Sequence, residues 1–196
     1  MPRNPFEQPN IEIGLATAGD LDAIKELMQK NLKEHLTTEE QETQGFLSVD
    51  YPREMLEEIV SNPNEGITIA KENGQLVGYL MPITVEHAKQ IPILDPFVAR
   101  LRDLKYAGKP LNDFRYCILG QVCVEKDHRG SGKGILGKLY AGMKERLSNQ
   151  YDLGVSEIGA DNARSLSAHL KKIGLTVVEE YSAEGKDWNL VIYDFR

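Results

Sequence analysis

Residues 114–140 read FRYCILGQVCVEKDHRGSGKGILGKLY, and the fold turns on how that stretch divides. Its first part, 114–124, is apolar on both alternating faces apart from Gln121, the pattern of a central strand covered on both sides. Its last part opens a helix, with Ile135, Leu136, Leu139, Met143 and Leu147 at helical spacing. Between them lies HRGSGKG (128–134), with three alternating glycines and the cations Arg129 and Lys133. A glycine-rich turn feeding a helix start is suited to an anion. The first helical amides have no intrahelical acceptor, the helix dipole favours negative charge there, and glycine lets backbone approach a phosphate closely. The nucleotide P-loop needs Ser or Thr directly after Gly-Lys, and Gly134 stands there, so that motif is excluded. The dinucleotide fingerprint fits literally over Gly132-Lys133-Gly134-Ile135-Leu136-Gly137. It should follow its strand at once, and here the charged segment EKDHRG intervenes.

Outward from this stretch, strand and helix patterns alternate. IEIGLA (11–16) reads as a strand, and the helix after it has Thr17 as N-cap, Asp20 in near capping-box position, and an apolar stripe of Leu21, Ile24, Leu27, Met28 and Leu32. Residues 33–44 read as polar loop or frayed helix, and 50–62 as a short helix with Pro52 in its first turn. Residues 66–84 form a hairpin turning at Asn73-Gly74. Residues 95–104 look helical, with Asp95 as N-cap and Pro96 at the first position. GVSEIGA (154–160) is a strand, 162–174 a helix stopped by Gly174, and 175–195 a second hairpin. The order describes one mixed α/β layered domain over 11–196, preceded by a loose polar tail at 1–10.

The net charge of -7 argues against a general nucleic-acid binder. No run approaches the length of a membrane span, and the N-terminus carries no apolar signal core, so a cytoplasmic protein is expected. Cys117 and Cys123, six apart in one straight strand, would share a face about 20 Å apart, beyond disulfide reach. Reduced thiols are the expectation. His35, His87, His128 and His169 show no metal spacing, and no metal is expected.

Arg129-Gly130-Ser131-Gly132-Lys133-Gly134 also fits the pattern Arg/Gln-x-x-Gly-x-Gly/Ala at every defined position. There the chain resembles the GNAT superfamily of acyl-CoA-dependent N-acetyltransferases. NARSLSAHLKKIGL (162–175) is similar to that family's later segment, with Asn162 and Gly174 as anchors, and the Asn73-Gly74 hairpin fits its second and third strands. The resemblance implies a mixed, twisted, α+β-type sheet of about seven strands flanked by helices and splayed between its two central parallel strands. It implies acetyl-CoA as cosubstrate and transfer of the acetyl group to a primary amine of a small molecule or peptide by direct attack. The pyrophosphate would sit on residues 129–134 and the pantetheine along Val122, Cys123 and Val124, with a backbone amide near Val124 polarising the acyl carbonyl. Asn162 would contact the pantetheine, cap its helix, or both. The family's usual tyrosine, proton donor to the thiolate, falls at Leu170. His169 could replace it only if the helix is offset by one residue, and otherwise reads as a partly exposed helix residue.

Gln121 could orient a water or the acceptor. Glu86 and His87 are candidates on the acceptor side, with loop solvation as their plainer role, and Tyr140 would pack or touch the adenosine end. Cys123 has no histidine paired with it in sequence and is no acyl-enzyme nucleophile. Residues 28–60 and 84–114 would meet the acceptor, the second segment as a lid or wall. The missing tyrosine leaves a catalytically weak CoA-binding module as an alternative, a dinucleotide enzyme is a remoter one, and the two hairpins could support a homodimer.

Overall fold

The computed structural model describes residues 11–196. The tail expected at 1–10 lies outside them. The elements are β1 (Ile11–Leu15), α1 (Leu21–Gln29), α2 (Thr38–Gln44), α3 (Arg53–Ser61), β2 (Thr68–Glu72), β3 (Gln75–Ile83), α4 (Val85–Ala88), α5 (Asp95–Arg100), β4 (Lys105–Tyr106), β5 (Lys109–Pro110), β6 (Tyr116–Val124), α6 (Ile135–Leu147), β7 (Leu153–Gly159), α7 (Ala163–Ala168), β8 (Thr176–Ala183) and β9 (Lys186–Asp194). Seven strands form one mixed sheet in the order β1-β2-β3-β6-β7-β9-β8; β4 and β5 pair separately. Only β6 and β7 run parallel; the remaining pairs are antiparallel.

Each face of the sheet is covered, which is why β6 carries no polar stripe. Leu21, Ile24 and Met28 of α1, Leu56 and Ile59 of α3, and Phe97 of α5 pack on one face. Ile135, Leu139, Met143 and Leu147 of α6 pack on the other. Local chemistry sets the boundaries. Thr17 and Asp20 form a capping box ahead of α1. Asn73 and Gly74 turn the β2–β3 hairpin at φ of 52° and 80°, as a two-residue primed turn requires. Gly174 ends its helix at φ 83°.

Several expectations change. Residues 38–44 form a true helix because Thr37 and Glu40 make a second capping box. Asp95 is already helical and Leu94 is the N-cap, since a one-turn 3-10 segment (Pro92–Leu94) leads directly into α5. The helix at 162–174 is α-helical only to Ala168 and continues as a π-turn, His169–Ile173. Cys117 and Cys123 lie on opposite faces of the sheet. The register against β3 explains this: Met81 pairs with Gln121 and Pro82 with Leu119, so Gly120 is an extra residue that inverts the alternation.

Candidate acyl-donor and acceptor clefts

The segment 128–134 forms a loop with Gly130, Gly132 and Gly134 at φ of 68°, 77° and 65°. A Cβ at any of the three would project into open space, so the left-handed backbone, not crowding, calls for glycine there. Gly134 is the N-cap of α6 and offers no side-chain cap, leaving the helix's first amides for another acceptor. Gly137 lies exposed with nothing near its Cβ position. The third glycine of a dinucleotide fingerprint exists for close helix–strand packing, which is missing here.

The loop's side chains brace the scaffold. Arg129 donates through Nε to the Val124 carbonyl (2.6 Å), through Nη1 to the Gln44 carbonyl (3.2 Å), and through Nη2 to Asn31 Oδ1. Lys133 and His128 both engage Glu72, at 2.5 and 2.9 Å, and hold its carboxyl below the usual range. Ser131 Oγ donates to the His128 carbonyl at 2.8 Å.

Beside the loop, β6 and β7 part. They pair only from Tyr116↔Leu153 as far as Ile118↔Val155, and one more link, Ser156 Oγ to the Leu119 carbonyl (2.9 Å), follows. Beyond the Gly120 bulge the edge of β6 is open. Glu125 N–H bonds the Val77 carbonyl of β3 at 2.8 Å. Antiparallel alternation then commits the backbone of Cys123 to β3 and turns the backbone groups of Val122 and Val124 toward the gap. Val122, Cys123 and Val124 line one cleft together with the glycine loop, Ser165 and His169, with a cavity volume of about 410 Å³.

A second cleft of about 120 Å³ continues past Val122 and His169, which line both. It is bounded by Gln121, Glu157, Asn162 and the apolar side chains of Leu94, Phe97 and Trp188. The Gln121 amide is engaged at both ends: it accepts from Tyr79 Oη and donates to the Val49 carbonyl at 2.8 Å. Asn162 donates to the Phe46 carbonyl at 2.9 Å. It stands at the N-cap of α7 but makes no cap bond, and its buried Oδ1 has no partner among the described residues.

His169 is buried, not partly exposed. The π-turn beginning there adds one residue to the turn and so supplies a helix offset. Its Nδ1 lies 2.7 Å from the Ser165 carbonyl oxygen, which assigns the proton to Nδ1 and leaves Nε2 as an acceptor. Burial lowers its pKa, so the ring is neutral. Leu170 packs against the core cluster under α6. Tyr140, also buried, meets the His169 ring edge-on at 5.7 Å.

Cys123 is buried and its thiol is pushed up to about 12 by desolvation, so it stays protonated. His87 is buried against Glu65 (2.7 Å) and not solvated on a loop. Among the described residues no three His, Cys, Asp or Glu side chains gather to hold a metal, and no helix is long and apolar enough to cross a membrane.

Glu157 was not singled out by the sequence. It faces the second cleft from β7, accepts a hydrogen bond from Tyr181 Oη, and desolvation pushes its carboxyl up to about 7. The one signal for it was the polar pair Ser156-Glu157 inside the otherwise apolar strand GVSEIGA.

The overall fold that carries this loop and these parted strands is similar to that of solved acetyltransferases. An N-acetyltransferase from Staphylococcus aureus Mu50 matches with TM-score 0.62 at 18% identity, covering 95% of this chain and 99% of that one. A putative acetyltransferase from Salmonella typhimurium, solved with acetyl-CoA, matches with TM-score 0.58 at 16% identity, covering 95% and 94%. A ribosomal-protein-alanine N-acetyltransferase from Brucella melitensis matches with TM-score 0.58 at 18% identity, covering 93% and 99%. No curated protein matches the sequence. Such likeness shows a shared fold. Residues 24–175 match the model of the acetyltransferase (GNAT) family, and the chain belongs to that family.

Proposed function

We propose that the protein transfers an acetyl group from acetyl-CoA to a primary amine, of a small molecule or a peptide, by direct attack on the thioester. The observation that carries this reading is the continuity of the left-handed glycine loop with the open edge of β6. The loop amides of 129–134 would hold the pyrophosphate, with Lys133 adding charge. The backbone groups of Val122 would pair with the pantetheine as an added strand does, since the Val124 carbonyl is taken by Arg129. The unpartnered Oδ1 of Asn162 suits an amide N–H of the same arm. The Val124 amide would polarise the acyl carbonyl as charge develops on its oxygen. We assign Arg129 to bracing the loop and Gln121 to holding the cleft wall. His169, neutral with Nε2 free, would accept a hydrogen bond beside the thioester. The reading is of one catalytic domain over 11–196, cytoplasmic and with both thiols reduced.

Titration calorimetry tests it. Acetyl-CoA should bind with a Kd on the order of micromolar, about -8 kcal/mol, and Gly132→Val with Gly134→Val should abolish the heat. Absence of binding by the unaltered protein, or binding indifferent to both substitutions, would refute the assignment of the donor site.

A further inference from the structure

We propose that Glu157 receives the acceptor as an ammonium ion and takes its proton, and that the acceptor arrives through the passage between Ile93–Pro96 and the β8–β9 hairpin. The inference rests on the proposed acetyl transfer and names the acceptor half of that site.

The placement comes from the splay. The last backbone pair between β6 and β7 is Ile118↔Val155, so Glu157, two residues further along β7, is paired with Leu190 of β9 on one side and has no strand partner on the β6 side. Among the described residues it is the one carboxylate lining the inner cleft. It also lines an outer hollow with Pro96, Tyr181 and Lys186, and Ile93, Glu157 and Trp188 border both spaces. Inner cleft and outer hollow thus meet at Glu157, on the side away from the glycine loop. A donor entering over the loop and an acceptor entering past the hairpin would converge without crossing.

The carboxylate is held for the task. Tyr181 Oη donates to its Oε2, and Oε1 accepts no hydrogen bond among the described residues. The Tyr181 ring is in turn covered by the Arg100 guanidinium, 5.4 Å from the ring centroid, and Arg100 is paired with Glu179. The charged and titratable groups facing Glu157 are therefore Tyr181 and Glu179 on β8, Arg100 on α5, neutral His169 after α7, and Glu184 and Lys186 at the hairpin tip. Arg100 is neutralised by Glu179 and does not hold Glu157 ionised. Burial dominates and sets the carboxyl at about 7, where a base is half available at neutral pH.

The chemistry also limits the acceptor. A primary amine is an ammonium at neutral pH and has no lone pair until one proton leaves. Glu157 takes that proton; the freed nitrogen forms the C–N bond to the thioester carbonyl carbon; the C–S bond breaks with its electron pair on sulfur. A second proton from nitrogen goes to sulfur, giving an amide and the CoA thiol, and Glu157 returns its proton to solvent. The inner cleft sets a single carboxylate among Leu94, Phe97 and Trp188, and in the outer hollow the charge of Glu184 is offset by that of Lys186, so a second positive charge would meet no net negative partner and would be desolvated at a cost. The acceptor class is a monocationic amine with an apolar body.

Initial-rate kinetics with phenethylamine and spermidine as probes, alongside calorimetry of acetyl-CoA, tests this. The unaltered enzyme should acetylate phenethylamine in preference to spermidine, with kcat/KM rising through pH of about 7. Glu157→Gln should lower kcat/KM on the order of 100-fold, in the range of general-base losses, erase that limb, and leave the acetyl-CoA Kd unchanged. Tyr181→Phe, a positioning change, should move the limb to higher pH, because the lost hydrogen bond favours the ionised carboxyl. That shift carries the test even if the glutamine variant folds poorly. Ala183→Trp, at the outer hollow, should raise KM for phenethylamine with kcat held. A limb that persists in Glu157→Gln, a preference for spermidine, or bound acetyl-CoA with neither probe acetylated would overturn the inference while leaving the donor site standing. Failure to bind acetyl-CoA at all would instead sink the reading beneath it.

Discussion

Arg129→Lys separates charge from shape at the donor loop. The guanidinium reaches three oxygen acceptors on three segments: the Val124 carbonyl at the end of β6, the Gln44 carbonyl at the end of α2, and Asn31 Oδ1 just past α1. An ammonium is a compact point charge and cannot span that fork. It keeps one acceptor and leaves two. A hydrogen bond to a charged group contributes about 1.5–3 kcal/mol, and Arg129 is half-buried, so water partly replaces what is lost and the low end applies. Two such losses give about 3 kcal/mol. For a chain of this size each kcal/mol moves Tm by roughly 2–4 °C, so scanning calorimetry should record a fall of about 6–12 °C. Acetyl-CoA affinity should fall too, because the Val124 carbonyl and the loop lose their tether. The dependence of that affinity on salt should not change, because the formal charge is retained. A variant that melts within about 1 °C of the unaltered protein yet binds acetyl-CoA far more weakly would refute the bracing role and make Arg129 a direct phosphate contact.

Two further substitutions probe the scaffold. A Cβ on Gly154, in the short parallel ladder, would lie 2.7 Å from Leu119 Cδ2 and 2.9 Å from its Cγ; overpacking of this kind costs about 1–3 kcal/mol, so Gly154→Ala should lower Tm by several degrees, and an unchanged melt would mean that Leu119 has room to move. Asp152 accepts from the Arg115 guanidinium and, secondarily, from its backbone N–H, which holds its carboxyl at about 2. A depressed folded pKa gives stability that is present above the ordinary carboxylate value and lost as pH falls through the folded one. Asp152→Asn should therefore be the less stable protein at neutral pH, with the difference closing between pH of about 4 and about 2, as followed by denaturant titration at each pH.

What the sequence disclosed was whatever local chemistry dictates. Alternating glycines before a helix demand left-handed backbone, and Gly130, Gly132 and Gly134 have it. Hydrophobic period located every strand of the main sheet and the apolar helices, while caps missed the start of α5 and the helix at 38–44. What it withheld depends on partners distant along the chain or on one inserted residue. The bracing contacts of Arg129 could not be read because Asn31 and Gln44, two of its acceptors, lie far away in sequence. His169 looked half-exposed from the sequence, whereas the ring is buried against Tyr140 where the π-turn His169–Ile173 begins. Glu157 was invisible because a lone glutamate in a short strand reads as solvent-facing, and only the parting of β6 from β7 gives it a cleft.

The same parting has a local cause. Gly120 is the extra residue of β6 against β3, and a Cβ there would lie 3.0 Å from Tyr51 Oη and 3.2 Å from Ile83, so the bulge can form only where no side chain intrudes. Once formed, it inverts the alternation. That places Gln121 against Tyr79 and Val49, puts Cys123 on the face opposite Cys117, and swings the backbone of Val122 and Val124 away from β7's reach. A straight β6 would have continued pairing with β7 beyond Ile118, satisfied those backbone groups internally, and buried Glu157 beneath a closed sheet. The open edge that suits the donor and the half-buried, cleft-facing carboxylate that suits the acceptor therefore share one origin, an inserted glycine in the middle of the central strand.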